Sequence, residues 1–121
     1  MKKILIVDDD KKIKRMLTRR LKKAGYEIHI AENGKIGIDK ALKLHPNLTL
    51  MDMQMPVMNG YEAVSILRKM EYTGIIVALT ASAMIDDIQK SIKAGCHDFI
   101  SKPIGVDFEE KIREILEENN E

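Results

Sequence analysis

The stretch Ile4-Leu5-Ile6-Val7 is apolar at every position and ends abruptly at Asp8-Asp9-Asp10. A strand without alternation has both faces buried, which places Lys3 to Val7 inside a sheet covered on two sides. Ile75 to Leu79 repeats the pattern before Thr80, and Leu48 to Met51 begins a third such strand that closes at Asp52. Between these runs the spacing changes to three and four residues, the period of a helix with one apolar face. Ile13, Met16, Leu17, Leu21 and Ala24 mark the first helix, which closes on Gly25. Glu27 to Ala31 predicts a second strand and Asn33-Gly34 a turn, with a helix over Lys35 to Leu44 that stops before His45-Pro46. Tyr61 to Lys69 predicts a third helix. Ile85, Ile88 and Ile92 give the apolar stripe of a fourth that ends at Gly95. Phe99-Ile100 form a short fifth strand, and Phe108, Ile112, Ile115 and Leu116 the stripe of the last helix.

Five strands alternating with five helices imply a doubly wound α/β fold, because parallel neighbours need crossover connections that cover both faces of the sheet. A length of 121 residues suits one domain, residues 1–121, with no output domain. The net charge of +1 gives no global electrostatic reason for nucleic-acid or membrane binding. The apolar run after Lys2-Lys3 is too short for a signal or membrane segment. A single cysteine, Cys96, cannot form an internal disulfide, which makes a reducing, cytoplasmic setting the expectation.

The polar residues at strand ends carry the chemistry. In open α/β sheets ligands bind beyond the carboxyl ends of the strands. Asp8 and Asp9 follow the first strand, Asp52 closes the third, Thr80 the fourth, and Lys102 follows the fifth. Carboxylates brought together take up protons or bind a cation; an oxygen-only donor set favours Mg²⁺ or Ca²⁺ over softer metals, and a few carboxylates with retained waters suit Mg²⁺, with Mn²⁺ able to take its place. With Lys102 as a second positive charge, such a site accepts the oxygens of a phosphoryl group, and Asp52 is the candidate nucleophile toward phosphorus. Asp10 has the place of a helix cap.

Five motifs in order, Ile4-Leu5-Ile6-Val7-Asp8-Asp9-Asp10, Leu50-Met51-Asp52-Met53-Gln54-Met55-Pro56, Met58-Asn59-Gly60, Ala78-Leu79-Thr80-Ala81 and Ser101-Lys102-Pro103-Ile104, make the chain resemble the receiver domain of two-component response regulators over nearly its whole length. The resemblance implies a flavodoxin-like, three-layer fold with strand order 2-1-3-4-5. It also implies roles. Asp52 matches the phosphoacceptor, Asp9 a direct Mg²⁺ ligand, Asp8 a mainly water-mediated one, and the backbone carbonyl of Gln54 a further metal contact. Thr80 and Lys102 match the groups that hold phosphoryl oxygens, and Lys102-Pro103 the family's cis peptide. Phe99 stands where the family has a switch aromatic coupled to Thr80, while Gln54 and Ser82 stand where the family tunes attack by water. The implied activity is phosphoryl acceptance from a histidine kinase or histidine phosphotransfer protein. A change in partner binding through the last helices and fifth strand follows, without turnover of an external substrate.

Two other functions share parts of this chemistry. A Mg²⁺-dependent phosphatase with an aspartyl-phosphate intermediate needs a second acid two residues after the nucleophile, where this chain has Gln54. A flavodoxin-like cofactor binder wants a phosphate-cradling loop rich in Ser, Thr or Gly after the first strand, where Asp8-Asp9-Asp10 would repel phosphate in the absence of metal. The basic run Lys11, Lys12, Lys14, Arg15, Arg19, Arg20, Lys22 and Lys23 predicts a solvated face, and in the family this helix docks the histidine-bearing partner. His29, His45 and His97 lack the spacing of a metal cluster. Met51, Met53, Met55 and Met58 are read as packing around Asp52.

Overall fold

The computed structural model describes residues 1–81 and 84–119. Ser82, expected to tune attack by water, lies outside them. The elements run β1 (Lys3–Val7), α1 (Lys11–Lys23), β2 (Glu27–Ala31), α2 (Gly34–Leu44), β3 (Leu48–Asp52), α3 (Gly60–Lys69), β4 (Ile75–Thr80), α4 (Ile85–Ala94), β5 (Asp98–Ser101) and α5 (Phe108–Glu118). The strands form one parallel sheet in the order β2-β1-β3-β4-β5, the order implied by the receiver resemblance. No helix among the described residues is long and apolar enough to cross a membrane.

The unbroken apolar strands are explained by two cores, one on each face. Leu5, Val7, Met51, Ile76 and Ala78 pack against Ile38, Ala41, Ala63, Val64 and Leu67 of α2 and α3. Their neighbours Ile4, Ile6, Leu48, Leu50, Val77 and Leu79 point the other way, onto Leu17 and Leu21 of α1 and Phe108, Ile112, Ile115 and Leu116 of α5. Each fully buried side chain of this size contributes about 1.5–3 kcal/mol. Met51, Met53 and Met55 belong to the first core, as the packing reading expected.

Helix boundaries follow cap chemistry more than hydrophobic spacing. Asp10 caps α1, its Oδ1 accepting from the amides of Lys12 and Ile13 at 2.9 and 3.1 Å. Gly25, at φ +101°, follows the C-cap Ala24. Asn33-Gly34 is not a free turn. Asn33 Oδ1 accepts from the amide of Ile36 at 2.9 Å, which makes Asn33 the N-cap and Gly34 the first residue of α2. Asn59 does the same for α3 through the amide of Glu62, so that helix begins at Gly60, one residue earlier than expected.

Two helical faces differ from their sequence reading. On α1, Lys14 is buried, and Arg20 turns onto Glu109 of α5 with contacts of 2.5 and 2.7 Å, leaving the other six cations of the run exposed. On α4, Ile85 and Ile92 face solvent, Ile88 is half-buried, and the fully buried residue is Ser91, near the C-terminal end of the helix. There Arg68 of α3 donates to the carbonyl of Gly95 from both Nε and an Nη, at 3.0 and 2.8 Å.

Candidate functional site

β1 delivers Asp8 to the carboxyl edge of the sheet, where its amide donates to the carbonyl of Ala31 at 3.1 Å and its Oδ1 accepts from the amide of Asp10 at 2.9 Å. Asp8 is completely buried, while Asp9 beside it is exposed. β3 ends on Asp52, which is 4% exposed and accepts from the amide of Gln54 at 3.1 Å. One carboxylate oxygen from each of Asp8, Asp9 and Asp52 lies within 4.8 Å of the other two. Among the described residues no other set of His, Cys, Asp and Glu side chains gathers this closely.

Lys102 closes the site from β5. Its amide donates to the carbonyl of Thr80 at 2.7 Å, its bond to Pro103 is cis, and its Nζ stands 3.3 Å from Asp8 Oδ2 and 3.5 Å from Asp52 Oδ1. Thr80 is buried at the end of β4, in register with Ser101. Asp8, Asp9, Asp52, Thr80 and Lys102 thus sit at one end of neighbouring strands. Phe99 is one strand turn away, half-buried against the core under α3, with Lys111 Nζ 5.1 Å from its ring centroid. Gln54 is exposed on the loop after β3.

The electrostatics are those of a site short of positive charge. Burial, then the neighbouring Asp8 carboxylate, push the Asp52 carboxyl up to about 6, against the amide of Gln54 and the Lys102 ammonium, which pull it down. A hard divalent cation suits three clustered carboxylate oxygens whose repulsion is only partly offset by one lysine.

One contributor escaped the sequence reading. A Cβ on Gly60 would lie 2.4 Å from the carbonyl oxygen of Asp52 and 2.7 Å from Met53 Cα, so the start of α3 can approach the end of β3 at Asp52 only without a side chain. The signal was present in Met58-Asn59-Gly60, but spacing alone gives the glycine no partner. An apolar groove of about 460 Å³, lined by Ile13, Met16, Ala81, Pro103 and Ile104 together with Lys102, opens beside the site and was also not foreseen.

Other side chains remain apart from this chemistry. Burial pushes the Cys96 thiol up to about 12, which leaves it inert. His29 pairs with Glu27 at 2.7 Å, His45 takes a left-handed conformation at the end of α2, and His97 Nδ1 accepts from the amide of Ile76 at 3.3 Å.

The sequence profile of the response regulator receiver domain matches residues 4–117. The chain belongs to that family. This receiver is 45% identical over 107 residues to hybrid signal transduction histidine kinase G of Dictyostelium discoideum, which covers 84% of the chain and 3% of the relative. It is 38% identical over 103 residues to the chemotaxis protein CheY of Thermotoga maritima, covering 84% of the chain and 86% of the relative. Of the first three curated relatives it spans between 3% and 48% of the length. A solved structure of the Saccharomyces cerevisiae histidine phosphotransfer protein Ypd1 with the receiver domain of its downstream response regulator Ssk1 matches with a TM-score of 0.85. That match has 30% identity and covers 91% of this chain and 84% of that one. Membership places the chain among the receivers of two-component signalling and sets aside the phosphatase and flavodoxin-like cofactor readings.

Proposed function

We propose that this receiver takes a phosphoryl group onto Asp52 from a phosphohistidine of a kinase or phosphotransfer protein. The observation that carries this is the buried Asp52 carboxylate, 3.5 Å from Lys102 Nζ and clustered with Asp8 and Asp9. Asp52 Oδ forms the new O–P bond as the P–N bond of the donor breaks, and the electron pair leaves with the imidazole. Lys102 and the Thr80 hydroxyl hold the equatorial oxygens. Asp8, Asp9, Asp52 and the Gln54 carbonyl would hold Mg²⁺, or Mn²⁺ in its place, and the ion would supply Lewis-acid charge at the phosphoryl oxygens. The turnover is of the chain's own carboxylate: self-phosphorylation and slow hydrolysis.

α1 carries six exposed cations and, through Ile13 and Met16, also lines the apolar groove beside Lys102, which supports docking of the histidine-bearing partner on this helix. The test is transfer of labelled phosphoryl from a phosphorylated histidine phosphotransfer protein to this chain. Label is expected to move in Mg²⁺ and stay on the donor in chelator, and the Arg15→Glu/Arg19→Glu variant to receive it on the order of tenfold more slowly. No transfer in Mg²⁺, or an unchanged rate in the variant, would count against the donor class or the docking face respectively.

Loss of the phosphoryl group is tuned by Gln54 and Ser82, which stand two residues beyond Asp52 and Thr80. The Gln54 side chain is exposed on the loop just after Asp52, within reach of solvent. Gln54→Ala is expected to change the lifetime of the phosphoryl group roughly tenfold while leaving its formation within about twofold. Equal changes in both rates, followed by intact mass over time, would refute the assignment.

Phosphorylation biases two packings of the face built from α4, β5 and α5, with Thr80 and Phe99 as the moving pair. The ring of Phe99 is half-buried, and its lack of a hydroxyl confines any signal to packing.

A further inference from the structure

Two members of the stripe Ile85, Ile88, Ile92 on α4 stand open to solvent, Ile85 72% and Ile92 47% exposed, with Ile88 half-buried between them. Its direction follows from the helix's other contacts. Lys90 Nζ lies 4.2 Å from the Tyr61 ring centroid, which turns that side of α4 toward α3. At 100° per residue the isoleucines fall on the opposite flank, toward β5, the edge strand of the sheet.

Across that edge lies a groove of about 280 Å³ between β5 and α5, in which five carboxylates, Asp98, Asp107, Glu110, Glu114 and Glu118, surround the single ammonium of Lys111. Glu110, Glu114 and Glu118 recur every four residues, so the acids form one row along α5. Lys111 is turned over the Phe99 ring, and Arg113 reaches Glu110 at 3.9 Å; neither meets Glu114 or Glu118.

We infer that the α4-β5-α5 face of this chain binds a cationic amphipathic helix of a partner protein, its apolar side on Ile85, Ile88 and Ile92 and its lysines or arginines along the α5 acids. This rests on the reading that the face is the receiver's output surface, and gives that surface a chemical specificity. Charge selects this occupant over a second copy of the chain. A second copy would bring the same excess of negative charge to the contact, five carboxylates against one ammonium in this groove, and like charge disfavours it. A cationic helix satisfies both halves of the surface, because apolar anchors supply affinity and the charged row sets orientation.

The probe is a labelled synthetic helix with leucines on one face and lysines on the other, titrated into the full chain by fluorescence anisotropy, unphosphorylated and with acetyl phosphate and Mg²⁺. Binding is expected in at least one of the two states. It should weaken at least tenfold in Glu114→Lys/Glu118→Lys, and likewise in Ile85→Ser/Ile92→Ser, where the replaced groups are exposed and the fold has no use for them. Asp39→Lys/Glu71→Lys, which removes as many acids elsewhere on the surface, should leave it unchanged. Equal loss in all three variants, equal binding of the leucine–glutamate counterpart, no binding in either state, or self-association through this face in sedimentation would overturn the inference. Phosphoryl uptake is read on the same samples by intact mass, so failure of the output reading and failure of the partner chemistry give separate signatures.

Discussion

Asp52→Asn, kept in chelator near pH 7, is expected to be more stable than the wild type by about 1–3 kcal/mol. The Asp52 carboxyl is 4% exposed and shares its cluster with the fully buried Asp8, so burial and Asp8 raise it to about 6. A carboxyl raised in the folded state contributes stability that is fully present below its ordinary value near 3.8 and is lost as pH rises through about 6. Near neutrality the empty site therefore holds an ionised Asp52 at a cost, and asparagine removes that charge with little change of shape. The advantage should shrink as pH is lowered toward about 5, where the wild-type carboxyl takes up its proton. Urea unfolding at both pH values measures this. A variant less stable at neutral pH, or a gap indifferent to pH, would mean that the three carboxylates are not in conflict.

Lys102→Ala is expected to slow phosphoryl uptake from acetyl phosphate on the order of a hundredfold at saturating Mg²⁺, the usual effect of removing one preorganised charge from a transferring group. Lys102 Nζ stands 3.3 Å from Asp8 and 3.5 Å from Asp52, between the carboxylate proposed to attack and one beside it. The side chain is one-fifth exposed, and its backbone is held by the bond from the Lys102 amide to the Thr80 carbonyl. The rate of mass gain decides the matter. A variant within about threefold of wild type would place the stabilising charge elsewhere.

The sheet was legible because unalternated strands admit one arrangement, burial on both faces, and the two cores divide the residues of β1, β3 and β4 accordingly. Asp8, Asp9, Asp52, Thr80 and Lys102 were legible because a parallel α/β topology gathers strand ends at one edge. What failed was local. Asn33-Gly34 carries the chemistry of a turn and of a helix start alike, and only the amide of Ile36 decides between them. Lys14 and Arg20 looked like part of a solvated run because sequence gives their sign and not their partners; Glu109 is 89 residues away from Arg20. The stripe on α4 has the period of a buried face, yet period reports which residues share a side and not what covers it. Gly60 shows the same gap, its partner being the carbonyl oxygen that ends β3.

Whether Asp52 receives the phosphoryl group with the help of a divalent cation is tested most directly by intact-protein mass after incubation with acetyl phosphate. One phosphoryl group should be gained by the wild type in Mg²⁺, and none by the wild type in chelator or by Asp52→Asn in Mg²⁺. A gain by Asp52→Asn equal to that of the wild type, or none by the wild type in Mg²⁺, would contradict that role for Asp52.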